Sequence, residues 1–152
     1  MPGGRFEGTA VVDRPIEEVF AYLADGTHDP AFSPRVLEIT RTPDGPTAVG
    51  TVFRSTVKDA GMKSSREFEI TALEAPSKIR WAERSKNIVV VPEGGYDLVP
   101  EGDGTRVTVF NVLEGRGFGK LIVGFALSAA RKDADAFAGR IKAAIEASYL
   151  RA

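Results

Sequence analysis

The chain has 152 residues, with 20 basic against 21 acidic side chains, one histidine and no cysteine. That length suits a single domain over residues 1–152, able to bury about 70% of the surface its unfolded form exposes. The composition excludes disulfides, cysteine nucleophiles and histidine or cysteine metal clusters, and a net charge of −1 lacks the basic excess that captures nucleic acid.

The N-terminus has no apolar signal core. Phe6 to Asp13 alternates as a first strand, with Phe6, Gly8, Ala10 and Val12 on one face. A helix then opens at Pro15, which suits the first helical position because its missing N–H would be unpaired there anyway. Glu17 and Glu18 favour the dipole of the first turn, and Ile16, Val19, Phe20 and Leu23 form one apolar stripe. Asp25-Gly26 ends the helix. Thr27 to Pro34 is a connector with room for one helical turn.

Strands are expected at Arg35–Thr42, Thr51–Lys58, Lys63–Leu73, Lys78–Arg84, Ile88–Val99 and Arg106–Leu113. Short breaks at Ala60-Gly61, Ala75-Pro76-Ser77 and Lys86-Asn87, with the Asp103-Gly104 turn, make the neighbours antiparallel. Gly94-Gly95 inside a strand predicts a bulge or bend. Lys120 to about Tyr149 reads as one long helix, with Val123, Ala126, Ala130, Ala134, Phe137, Ile141 and Ala144 along one face. Its segment Leu121–Leu127 is apolar nearly all round, so it is buried on several sides or meets a partner. The run Leu121–Ala130, interrupted by Gly124 and Ser128, falls short of the ~20 residues of a membrane span. The expected setting is the cytoplasm, without stable membrane insertion. A long amphipathic helix covering an antiparallel sheet makes an α+β fold.

Three stretches carry a family resemblance: Val12-Asp13-Arg14-Pro15-Ile16-Glu17-Glu18-Val19-Phe20-Ala21-Tyr22-Leu23; Gly95-Tyr96-Asp97-Leu98-Val99-Pro100 with Asp103 to Thr108; and the final helix around Arg131 to Glu146. In this order they resemble the START-like, or SRPBCC, superfamily, in particular its polyketide cyclase/dehydrase branch. The resemblance implies a helix-grip (START/Bet v 1-like) fold, a curved antiparallel sheet of about seven strands around the C-terminal helix, with two short helices after the first strand. It also implies a cavity between sheet and helix, holding a lipid, isoprenoid, polyketide or other hydrophobic small molecule. The expected lining is Phe20, Phe32, Phe53, Phe68, Trp81, Tyr96, Phe110, Ala126, Ala130 and Phe137. Some relatives catalyse cyclisation or dehydration without a cofactor, and others modulate larger assemblies, so an enzyme and a protein-interaction module are the alternatives. Phe32 stands where such chains often carry tryptophan, and no complete set of cyclase catalytic residues aligns. Ligand identity and oligomeric state are not legible in one chain.

Individual residues carry two readings each. Arg54 pointing inward would hold a ligand carbonyl or stabilise an enolate; pointing outward it would pair with Glu67 or Glu69, the commoner fate of a charged side chain. Tyr96 offers a phenol as donor or weak acid, or packs as a sheet aromatic against the helix. Trp81 lines a cavity or fills core. Glu83, on the same face, would be a buried acid or lie partly exposed near Arg84 or Lys86. His28, with Asp29 and Ser33 nearby in sequence, reads better as a loop or capping residue than as a base. Gly115-x-Gly117-x-Gly119-Lys120 fails as a phosphate loop, since Leu121 replaces the required Ser/Thr, and it lacks the parallel unit of a dinucleotide site. No cofactor and no metal are expected; the glycines read as a hinge, which the resemblance would make a ligand gate.

Overall fold

The computed structural model describes residues 3–59 and 61–150. In chain order the elements are β1 (Gly3–Val12), α1 (Ile16–Ala24), a 3₁₀ helix (Gly26–Ala31), β2 (Val36–Thr42), β3 (Val52–Asp59), β4 (Met62–Glu74), β5 (Lys78–Glu83), β6 (Val89–Glu101), β7 (Gly104–Gly115) and α2 (Gly119–Leu150). The seven strands form one sheet in the order β1-β7-β6-β5-β4-β3-β2, antiparallel throughout. From β2 to β7 each strand pairs with its chain neighbour. Only β1, set apart by the two short helices, crosses over to pair with the last strand. This is the helix-grip α+β fold.

Pairing of β1 with β7 runs unbroken from Gly3↔Glu114 to Val12↔Thr105, which extends β1 beyond the expected start at Phe6. Its inward face meets α2 closely: a Cβ on Gly8 would lie 2.0 Å from the carbonyl oxygen of Ala134. Helix α2 lies chiefly on β1 and β7, and buries Val123, Leu127, Ala134, Ala138, Ile141 and Ile145. Pro15 is the N-cap of α1 rather than its first residue. Its ψ of 151° is extended, and its carbonyl accepts the N–H groups of Glu18 and Val19.

The register slips between Val90 and Glu93, just before Gly94-Gly95 and not at it. Gly94 serves close approach instead. A Cβ there would lie 2.0 Å from Asn111 Oδ1 and 2.3 Å from Trp81 Nε1, and those two groups hydrogen-bond each other at 2.9 Å.

Side chains tie the end of α2 and the start of β7 to the β1–α1 corner. Glu146 accepts the Asp13 N–H at 2.8 Å, the Tyr149 hydroxyl donates to Glu18 O at 3.1 Å, and the buried Thr105 hydroxyl donates to Arg14 O at 2.9 Å. The core between these elements holds Val12, Val19, Ile79, Leu98, Val107, Ile141 and Ile145.

Candidate ligand site

The 3₁₀ helix closes one end of the sheet's concave face. Asp25 caps it, accepting from Thr27 N at 3.0 Å and Thr27 Oγ1 at 2.6 Å. Arg41 on β2 reaches the same carboxylate at 3.0 Å. Burial alone would raise the Asp25 pKa, but the Thr27 hydrogen bonds and the charges of His28 and Arg41 hold it below the usual value. At Gly26 an added Cβ would strike the Phe53 ring at 2.9 Å, so the segment lies directly on β3.

Cross-strand register gathers aromatic groups beneath it. Phe53 stands opposite Phe68, Ile79 opposite Tyr96 and Trp81 opposite Gly94. The Trp81 and Tyr96 rings meet edge to face at 4.9 Å, and those of Phe32 and Phe137 at 5.7 Å. Phe68, Trp81 and Phe137 keep part of their surface accessible. Between the 3₁₀ segment and the C-terminal half of α2 lies a cleft of about 580 Å³, lined by Tyr22, Pro30, Ala31, Phe32, Pro34, Arg140, Ala143, Ala144, Ala147 and Ser148. Three alanines on its helical wall leave the space that larger side chains would fill.

Two oxygens stand out in this apolar setting. The Asp29 backbone carbonyl accepts the N–H groups of Phe32 and Ser33, but among the described residues nothing donates to its carboxyl. Burial first, and the charge of Asp25 second, push that carboxyl up to about 7. Asp29 nevertheless keeps some accessible surface. Tyr96 is only 5% exposed. Burial raises its hydroxyl well above the usual range, and the nearby charges of Asp29 and Tyr22 add to the effect. Near neutrality the two groups therefore offer donors to a ligand oxygen. Next to them, His28 Nδ1 donates to Tyr22 O at 2.7 Å, and its ring stacks on Tyr22 at 4.2 Å.

A second polar group lies further along the same concave face. The Glu83 side chain is fully buried and pairs with Arg66 at 2.9 Å. It also accepts from Ser85, Asn87 and the Val91 N–H. Its lone pairs are engaged, so Glu83 is neither a free acid nor a partly exposed strand end. No group of three or more carboxylate and histidine side chains able to hold a metal occurs among the described residues.

Residues 4–146 match the family described as polyketide cyclase / dehydrase and lipid transport. The chain belongs to that family. Among solved structures it resembles the protein TTHA0849 from Thermus thermophilus, with TM-score 0.77 and 18% identity over 95% of this chain and 98% of that one. It resembles the Zhui aromatase/cyclase from Streptomyces sp. R1128, with TM-score 0.75 and 17% identity over 95% and 94% of the two chains. A START superfamily protein from Mycobacterium smegmatis gives TM-score 0.69 and 19% identity over 92% and 98%. At such identities the shared property is the START-like fold. No curated protein sequence matches the chain.

In this polyketide cyclase / dehydrase and lipid transport family member, Phe20, Phe32, Phe53, Trp81, Tyr96 and Phe137 come together in one cluster. Phe68 joins the concave face opposite Phe53. Ala126 and Ala130 are half-buried on a flank of α2. Phe110 is a correction: it is buried, but on the outer face. Its neighbour Val109 pairs with the inward Gly8, so Phe110 points the other way, and the Arg5 and Arg80 guanidinium groups cover its ring at 3.9 and 4.8 Å. Arg54 takes the outward of its two readings, which removes it as a catalytic candidate. Its side chain is 66% exposed and donates to Glu67 at 3.0 Å, in a shallow outer depression with Thr42, Val52 and Arg84. Asp29 does not stand out in the sequence as a binding residue, because a carboxylate between His28 and Pro30 carries the ordinary signature of a turn.

Proposed function

We propose that this chain binds a hydrophobic small molecule of lipid, isoprenoid or polyketide type, with its apolar body in the cleft beside Phe32, Ala144 and Ala147, against the cluster of Phe53, Trp81 and Phe137, and an oxygenated end at Asp29 and Tyr96. One observation carries the reading: a cleft of about 580 Å³ shares Phe32 and Ala144 with the aromatic cluster that holds Phe53, Trp81, Tyr96 and Phe137, and among the described residues nothing donates to the nearby Asp29 carboxyl. An apolar pocket with a few convergent polar groups is the usual form of a small-molecule site. Trp81, the one tryptophan, lies 4.9 Å from Tyr96 and makes a built-in reporter. Titration with a fatty acid, an isoprenoid alcohol and an aromatic polyketide is expected to change its emission saturably for one class. Ala144→Phe, which fills the cleft, is expected to abolish that change in a protein with an unaltered circular dichroism spectrum. Unimpaired binding by the filled variant would place the ligand elsewhere.

A second reading, cofactor-independent cyclisation or dehydration of a poly-β-ketone, is favoured by the Asp29 pKa of about 7. Such a carboxyl is matched to proton transfer near neutrality, and Tyr96 would polarise a substrate carbonyl. Asp29→Asn is then expected to abolish turnover while product affinity stays within a few-fold; undiminished turnover would remove this reading and leave the binding one standing.

A further inference from the structure

We propose that the first turns of α2 dock this protein peripherally on an anionic lipid surface. Phe118, Leu121, Ile122 and Phe125 are 80, 77, 44 and 81% exposed. The spacing of Leu121 and Phe125 puts them on one stripe of the helix, and Phe118 stands in the turn immediately before it. The opposite face of the same turns is anchored, with Gly119, Val123 and Leu127 buried. The helix therefore presents its apolar stripe as a rigid ridge without unfolding. Ile88, 52% exposed, extends the ridge: its carbonyl accepts the Arg116 N–H at 2.8 Å, and it abuts Gly119 so closely that a Cβ there would clash.

The charges within this stretch are of one sign, and the carboxylates that flank it, Glu114 and Asp133, are paired with Arg116 and Arg140. Between Gly115 and Lys132 the chain carries Arg116, Lys120, Arg131 and Lys132 and no carboxylate. Lys132 continues the stripe two turns beyond Phe125, and Lys86 flanks Ile88. Among the described residues Lys86, Lys120 and Lys132 have no carboxylate within ion-pair distance, unlike Lys78, Lys142 and Arg116. The cationic patch is local, since the whole chain is at −1.

Bulky apolar side chains inside a lysine rim match the interface of an anionic bilayer, where rings and aliphatic groups sink to the acyl boundary and ammonium groups meet lipid phosphates. A second copy of the same face fits poorly, because two-fold pairing would bring lysine against lysine while the flanking carboxylates Glu114 and Asp133 are already engaged by Arg116 and Arg140. This inference does not depend on the Asp29–Tyr96 site.

The test is co-sedimentation of the full chain with phosphatidylcholine vesicles, with and without phosphatidylglycerol. Binding is expected only with phosphatidylglycerol and is expected to fall with added salt. The double variant Leu121→Gln/Phe125→Gln alters only exposed positions and is expected to lose binding with Trp81 emission and melting unchanged. Replacing each of Lys86, Lys120 and Lys132 by Gln is expected to weaken binding roughly fivefold per lysine. Absence of binding to the anionic vesicles overturns the proposal, as does binding indifferent to the Leu121/Phe125 change or equal on both vesicles. A concentration-dependent dimer dispersed by that change, without vesicle binding, would make the ridge an interface between copies and would equally overturn it.

Discussion

Arg140 of α2 donates from Nε to the backbone carbonyl of Phe32 at 3.1 Å, so the helix that walls the cleft also holds the segment that roofs it. The same guanidinium pairs with Asp133 at 2.8 Å, which fixes its direction. Arg140→Ala is expected to cost about 1 kcal/mol and to speed both ligand association and release. Arg140→Lys keeps the charge but loses the fork that spans both partners, and is expected to behave like alanine. Stopped-flow Trp81 emission with equilibrium urea unfolding checks both; unchanged exchange rates would mean that the roof does not gate the cleft.

The carboxyl of Asp29 makes stability depend on pH with an unusual sign. Its folded pKa of about 7 lies above the ordinary ~3.9. Between those values the folded chain keeps a proton that the unfolded chain has released. The contribution of Asp29 is therefore full below about pH 4 and falls as pH rises to about 7, by up to ~1.4 kcal/mol per unit, then levels. Asp29→Asn removes this slope, so the variant is expected to match the parent near pH ~4 and to melt higher above pH ~7. Thermal melts across that range decide it, and parallel curves for the two proteins would count against a buried, protonated Asp29.

Glu83 and Arg66 form the buried ion pair of the concave face, and Arg66 Nε has no partner of its own among the described residues. Removing either charge strands the other. Glu83→Leu or Arg66→Met alone is expected to cost on the order of 3–5 kcal/mol, while the double replacement recovers most of the loss. A double-mutant cycle by urea denaturation measures this. Additive losses would mean that the pair does not act as a unit.

Two glycines should respond in opposite directions. Gly8→Ala pushes a methyl group into the Ala134 backbone, 2.0 Å from its carbonyl oxygen, and is expected to destabilise by about 1–3 kcal/mol as α2 is forced off β1. Gly139 in α2 has nothing within 4 Å of an added Cβ, and Gly139→Ala is expected to stabilise by about 1 kcal/mol through helix propensity alone. Calorimetry on the two variants reads the difference directly.

The element order was legible because its signals are local. A period of two and a period near four mark strands and helices, and Gly-Asp-Pro clusters mark the breaks between them. The same locality explains the misplacements. In β7 both faces are apolar, Val107 and Val109 on one and Phe110 and Val112 on the other, so alternation separates the faces without saying which is inward. The register Gly8↔Val109 settles that, through a strand far away in the chain. In β3 the alternation of Phe53 and Arg54 placed them on opposite faces, and the exposure of Arg54 follows once Phe53 is held beneath the 3₁₀ helix.

By itself the sequence determined the order of strands and helices, the antiparallel pairing of near neighbours, and the apolar stripe of each helix, since each depends on residues a few positions apart. Tertiary structure alone decided that Asp29 comes within electrostatic reach of Tyr96, that Arg66 meets Glu83 across the strands, and that one side of the Leu121–Leu127 segment is buried while the other faces solvent. Those outcomes are set by desolvation, and the atoms that exclude water from a side chain come from elements distant in sequence.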